Sequence, residues 1–264
     1  MPQLTFTTKY RKNEGVCFSS EEIYTLYFYG VDVLSKDGSK LDSNTIKLNI
    51  KSAQSEVEKY LDIKLFPTFI EETKDYYRDD YYNGFPFVRT SLPVKRILSL
   101  VGRLNNVEQI IYPESWLSER KTSDGTYHRQ FSIVPSGAAV EGNADVILTG
   151  ITSHYGLRAF SQVANYWTTQ YETGFDVGEI PEDLLQMIGM LSALPLLAIA
   201  GDLILGAGIA SQSLSIDGLS QSISSTSSAT NAGYGARMIE YRKSIDQTKK
   251  ALKRYYKGVT FAAL

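Results

Sequence analysis

Apolar residues recur every three or four positions near both ends of the chain and every second position in its middle, and this change of period organises the rest. Ile23, Leu26 and Tyr27 follow a capping-box pattern, Ser19-x-x-Glu22, and precede Gly30, which predicts a short helix starting at Ser19 or Ser20. Ile46, Ile50, Ala53, Val57, Tyr60 and Leu61 form one stripe and predict a second helix over 43–61. Pro181 stands where a helix-starting proline belongs, ahead of the apolar run Leu184 to Ile209, and predicts a third helix over 181–200. Pro195 is expected to kink or divide it. Met238, Tyr241, Ile245, Thr248, Leu252 and Tyr255 predict a last helix over 236–257, with a narrow seam suited to packing beside another helix.

From Leu65 to about Phe175 the runs FIEETKDYY, VKRILSLVG, VEQIIYP, QFSIVP, ADVILTG and YWTTQYETGF are short, β-like and separated by Pro and Gly. Their spacing favours antiparallel strands in a small sheet or barrel over alternating βα units. Leu214, Ile216, Leu219 and Ile223 alternate with polar residues on both sides of an Asp217-Gly218 turn, a strong hairpin signal. Eleven of the 21 residues from Ser211 to Asn231 are Ser or Thr, so this hairpin has too little apolar surface for a core of its own and needs a partner surface. The expected class is α+β: a helical bundle with a long C-terminal helix and a β-rich insertion. N-terminal helices take 1–64, the insertion 65–178, and C-terminal helices with the Ser-rich arm 179–264, packing back on the first.

Composition narrows the function classes. A net charge of −2 gives the whole chain no pull toward nucleic acid or membrane, so any attraction must be local. Eight Lys or Arg against Glu240 and Asp246 make 236–257 locally basic at a formal +6, with most of the charge in the last turns. One cysteine, Cys17, and two histidines, His128 and His154, leave no internal disulfide and no zinc-ligand spacing. The N-terminus lacks the pattern of a secretory signal. Gln186, Ser192, Pro195 and Asp202 within the apolar run favour a buried core helix over a membrane span, where a charge at the centre costs ~2.5–3.5 kcal/mol.

No catalytic constellation emerges. Gly218-Leu-Ser220-Gln-Ser lacks the last glycine of a nucleophile elbow, and Gly201 to Gly208 lacks the Lys-Ser/Thr pair of a phosphate loop. Glu71, Glu72, Asp75, Asp79 and Asp80 read as a solvated, charged strand edge. Tyr76, Tyr77, Tyr81 and Tyr82 beside them suit a protein interface, with stacking on a sugar as the rival. Neither an enzyme nor a bound metal or cofactor is expected. The basic seam helix and the coreless hairpin together suggest a chain that sits among copies of itself or other proteins.

Two sets of residues carry a resemblance. One is IKLNIKSAQSEVEKYLDIKLFPT with the later SLPVKRILSLVG and YPESWL; the other is IPEDLLQMIGMLSA leading through IDGLSQSISSTSSATNAGYGAR to the final helix. These segments, about half the chain, resemble the helical head-to-tail connector (adaptor) proteins of tailed bacteriophages. In that family a helix ending in Glu-x-x-Leu likewise precedes a Pro-containing extended segment and a strand reading roughly Pro-Val-x-x-Ile. The resemblance implies a non-enzymatic neck protein of the virion. Its ring, usually of twelve subunits, would lie beneath the portal protein, extend the DNA channel and offer its far side to a stopper or tail completion protein. Small members are about half this length, so the β-rich insertion departs from the pattern. No residue role transfers. The residues expected to bind partners, Leu214, Ile216, Asp217, Gly218, Leu219, Ile223, Lys249, Lys250, Lys253 and Arg254, rest on the hairpin and helix patterns alone. Non-specific contact with packaged DNA is the other use open to the basic helix; no membrane partner is expected. The rival from another class is a carbohydrate-binding or glycan-cleaving tail module.

Overall fold

A computed structural model of the chain describes residues 5–8, 15–31, 41–77, 87–105, 107–121, 127–134, 162–176, 178–205, 211–216, 219–224 and 234–257. The fold is α+β and divides into two compact units, one of Met1–Tyr10 with Ile63–Asp176, the other of Arg11–Asp62 with Val177–Leu264. The expected division assigned all of 1–64 to helices. Its first part instead supplies strand β1, Thr5–Thr8, which pairs antiparallel with β2, Thr68–Tyr77. A four-residue strand is too short for its alternation to be told from a loop.

The first unit holds two antiparallel sheets. Further strands are β3 (Phe87–Arg89), β4 (Arg96–Leu104), β5 (Val107–Ile111), β6 (Leu117–Lys121), β7 (Tyr127–Ile133) and β8 (Gln162–Thr173). Five form a sheet in the order β1-β2-β8-β4-β5, and three form another in the order β3-β7-β6. Among the described residues these are open sheets, and no closed barrel is present. β8 lies at the centre of the larger sheet, and Tyr166, Trp167, Thr168 and Thr169 are buried in succession, so both of its faces are covered. Trp167 packs against Tyr166 at 4.7 Å, Tyr112 at 5.4 Å and Tyr76 at 6.4 Å between ring centroids. Leu100, Phe131, Ile133 and Tyr171 belong to the same core. The run ADVILTG lies outside the described residues. β3 and β6 gave no signal, being too short in one case and mostly exposed and polar in the other.

The second unit contains α1 (Ser20–Tyr27), α2 (Ser43–Leu61), α3 (Glu182–Leu205), α4 (Gly235–Lys257) and a hairpin of β9 (Ser211–Ile216) and β10 (Leu219–Ser224). The capping box forms as the spacing predicts: the Glu22 amide donates to Ser19 Oγ at 3.2 Å and the Ser19 amide donates to Glu22 Oε2 at 2.6 Å. α2 buries Ile46, Ile50, Ala53, Val57 and Leu61, where each large aliphatic side chain contributes ~1.5–3 kcal/mol. Buried Gln54 on the same face accepts from the Cys17 amide at 2.7 Å and donates to the Gly15 carbonyl at 3.0 Å, pinning the start of α1 to α2.

α3 packs against α1, α2 and α4. Glu182–Gly201 is long and apolar enough to cross a membrane by length and composition, yet Leu184, Met187, Ile188, Ala193 and Leu197 are fully buried within the protein. Pro195 does not divide the helix: it stands exposed on the outer side, where the lost backbone donor faces away from the core. Pro181 is one position earlier than expected, since its carbonyl accepts the first helical bond, from Leu185, at 3.1 Å.

Candidate docking surfaces

The α4 seam follows from 3.6 residues per turn. Met238, Ile245 and Leu252 are buried at 3% exposure each, with Tyr241, Thr248, Lys249 and Tyr256 half-buried beside them. Tyr255, expected in the seam, is 50% exposed. At about 100° per residue, the fourth position after Leu252 falls about 40° from the buried line and the third about 60°, so Tyr256 takes the inner place. Burial, the nearby Asp183 carboxylate and Tyr255 all push the Tyr256 phenol well above its ordinary range.

The same geometry sorts the cations. Arg242, Lys243, Lys250, Lys253 and Arg254 are exposed and fall on one flank of α4 about 120° wide and, from first to last, about 18 Å long. Exposed Ile239 and Asp246 share that flank, while Glu240 lies beyond it. Lys249, expected among the docking cations, is committed within the chain. Its Nζ donates to Glu56 Oε1 at 2.7 Å and sits 5.4 Å from the centre of the Tyr60 ring. Glu56 and Tyr60 are four apart on α2 and so share a face; that spacing was the overlooked signal. Arg237 and Tyr241 also turn inward, donating to the carbonyls of Tyr29 at 3.2 Å and Tyr27 at 3.1 Å.

The hairpin pairs six residues on six without a bulge: Ile216 faces Leu219, Leu214 faces Gln221 and Gln212 faces Ile223. By register, the pairs that hold Leu214, Ile216, Leu219, Ile223 and two glutamines alternate with pairs of serine on serine. Among the described residues neither strand joins another sheet. Asp217 and Gly218, at the turn, lie outside the described residues.

The Tyr-rich strand differs from its expectation. β2 is flanked by β8 along its length, while β1 covers its other edge only at Thr68–Glu71. Tyr76 is 2% exposed in the aromatic core, Tyr77 is on the surface, and Asp79, Asp80, Tyr81 and Tyr82 lie outside the described residues. Asp75 accepts from the Asn165 amide at 2.9 Å and from Gln162 Nε2 at 3.1 Å, and the amide bond above all holds its carboxyl below the usual range. Glu72 is fully buried, not solvated. Its Oε1 accepts from the Ser91 amide at 2.9 Å, and Lys74 Nζ lies 3.5 Å from its other oxygen. Lys74 donates to Ser91 Oγ at 2.8 Å, and the Leu92 amide donates to the Tyr171 hydroxyl at 3.3 Å. Burial and then the Glu72 charge push that phenol far upward. These bonds clamp the connection after β3 and amount to a structural network. Among the described residues no group of three or more His, Cys, Asp or Glu is placed to hold a metal ion.

Compared with known protein families and with curated proteins, the chain matches none.

Proposed function

We propose that this chain is a structural neck protein of a tailed-bacteriophage virion, a ring-forming adaptor between the portal protein and the stopper or tail completion protein. In this reading the helices are the family's bundle and the sheets are an insertion into it. The observation that carries the proposal is the β9–β10 hairpin, a regular two-stranded sheet joined to no other strand among the described residues. Two-stranded sheets are marginal alone and gain stability from a partner surface. The cationic flank of α4 supports the same reading, because five exposed cations against Asp246 give it a net positive charge that steers docking onto an acidic surface.

Electron microscopy with mass determination, on the protein alone and mixed with portal protein, tests the proposal. Rings that bind the portal are expected; a monomer indifferent to it would sink the reading. Replacing Lys250, Lys253 and Arg254 together by Glu is expected to weaken portal binding and leave the melting temperature unchanged. If only DNA affinity fell, the flank would serve the channel and not the portal.

A further inference from the structure

We infer that the hairpin assembles edge to edge with the same hairpin of neighbouring copies, β10 of one beside β9 of the next, as one continuous antiparallel sheet. The inference rests on the ring reading above for closure, but the pairing has its own evidence in the strands. Natural edge strands are protected by charge, proline or bulges. Within the two described strands all three are missing: Asp217, between them in sequence, is the only charged residue between Asp202 and Arg237, β9 and β10 contain no proline, and their six pairs run without a register shift. Among the described residues neither outer edge is paired, so each is a template for a further strand.

Chemistry and direction then select the occupant. Uncharged strands of Ser, Gln, Leu and Ile complement themselves, and a copy of the hairpin is the one partner present at equal number in any homo-oligomer. A two-fold pairing, β9 on β9, would satisfy one edge and leave the other bare. Head-to-tail addition satisfies both, keeps every neighbouring pair antiparallel because β9 and β10 already alternate in direction, and removes all edges once the array closes.

The test uses the full chain with Cys17→Ser, which leaves no thiol, and then Ser213→Cys in β9 or Ser222→Cys in β10, one carrying a size tag. A short bis-maleimide is applied to each variant alone and to their mixture, and assembly mass is measured in parallel. Cross-linked heterodimers in the mixture, several-fold above either homodimer, are expected. Homodimers equal to or exceeding heterodimers would overturn the head-to-tail pairing, as would rings of full mass without cross-links, an outcome that leaves the ring reading standing. Heterodimers in open chains would uphold the pairing and remove the ring. A monomer without cross-links overturns both. As a second measurement, Ser213→Lys with Ser222→Lys charges both strands; at least a tenfold loss of assembly with an unchanged helical circular dichroism signal is expected, and undiminished assembly would refute the pairing.

Discussion

Gly189 in α3 shows how far one residue can depend on a contact distant in sequence. A Cβ there would overlap the Tyr27 ring, which is held edge-on by Phe18 at 6.0 Å and Tyr241 at 6.4 Å and so has little room to yield. Gly189→Ala is expected to cost ~1–3 kcal/mol in urea unfolding, the range for overpacking, despite alanine's better helix propensity. A neutral or stabilising result would contradict this packing. Tyr27 also predicts an alkaline limit. Burial, then the nearby Tyr241 and Glu182, raises its phenol to about 12, so the folded state favours the neutral form. That contribution is fully present below the free phenol's pKa near 10 and is lost as pH rises from there toward 12. Phenolate absorbance should show a late-titrating class of tyrosines that loses one member with Tyr27→Phe, Tyr171 and Tyr256 remaining in it. At Glu72, replacement by Ala leaves the half-buried Ser91 amide without its acceptor and should cost ~1–3 kcal/mol.

At the scale of elements, the seam of α4 and its Lys249–Glu56 ion pair are separable contributions to its hold on the second unit. Glu56 is 53% and Lys249 21% exposed at the side chain, so Lys249→Glu should lower stability by no more than ~1 kcal/mol, with Glu56→Lys in the same chain restoring part of it. Lys250→Glu should leave stability unaltered, since its side chain is exposed on the outer flank. For α3, Pro195→Ala restores a missing helical donor at an exposed site and is expected to raise the melting temperature, by at most the ~3 kcal/mol that an interior proline costs. A fall in stability would mean that the helix needs the proline's local geometry.

At the scale of the whole molecule, the two units have separate cores and separate reporters. Both tryptophans, Trp116 and Trp167, belong to the first unit, whereas the four α-helices among the described residues belong to the second. Tryptophan fluorescence and circular dichroism at 222 nm should therefore give non-coincident denaturant transitions, and Gly189→Ala should displace the second more than the first. Coincident curves that shift together would show one cooperative molecule instead. Removing residues 1–10 deletes β1, which pairs with Thr68–Glu71 of β2, and should destabilise the fluorescence transition first.

Periodicity alone determined α2 residue for residue, the α1 capping box, the antiparallel character of the middle region and the antiparallel pairing of the hairpin strands, because these depend on neighbours within a few positions. Pairing between distant segments was decided only by the tertiary structure. It placed β1 beside β2, drew Glu72 and Tyr76 into the interior, and took Lys249 from the exposed cations by setting Glu56 opposite it. A stripe on a helix specifies that a face is buried, but which residues of another element meet it depends on how the chain returns, and local spacing carries no record of that. The hairpin was legible because its turn and alternation are local; its freedom from any other strand was visible only once every described strand had its neighbours.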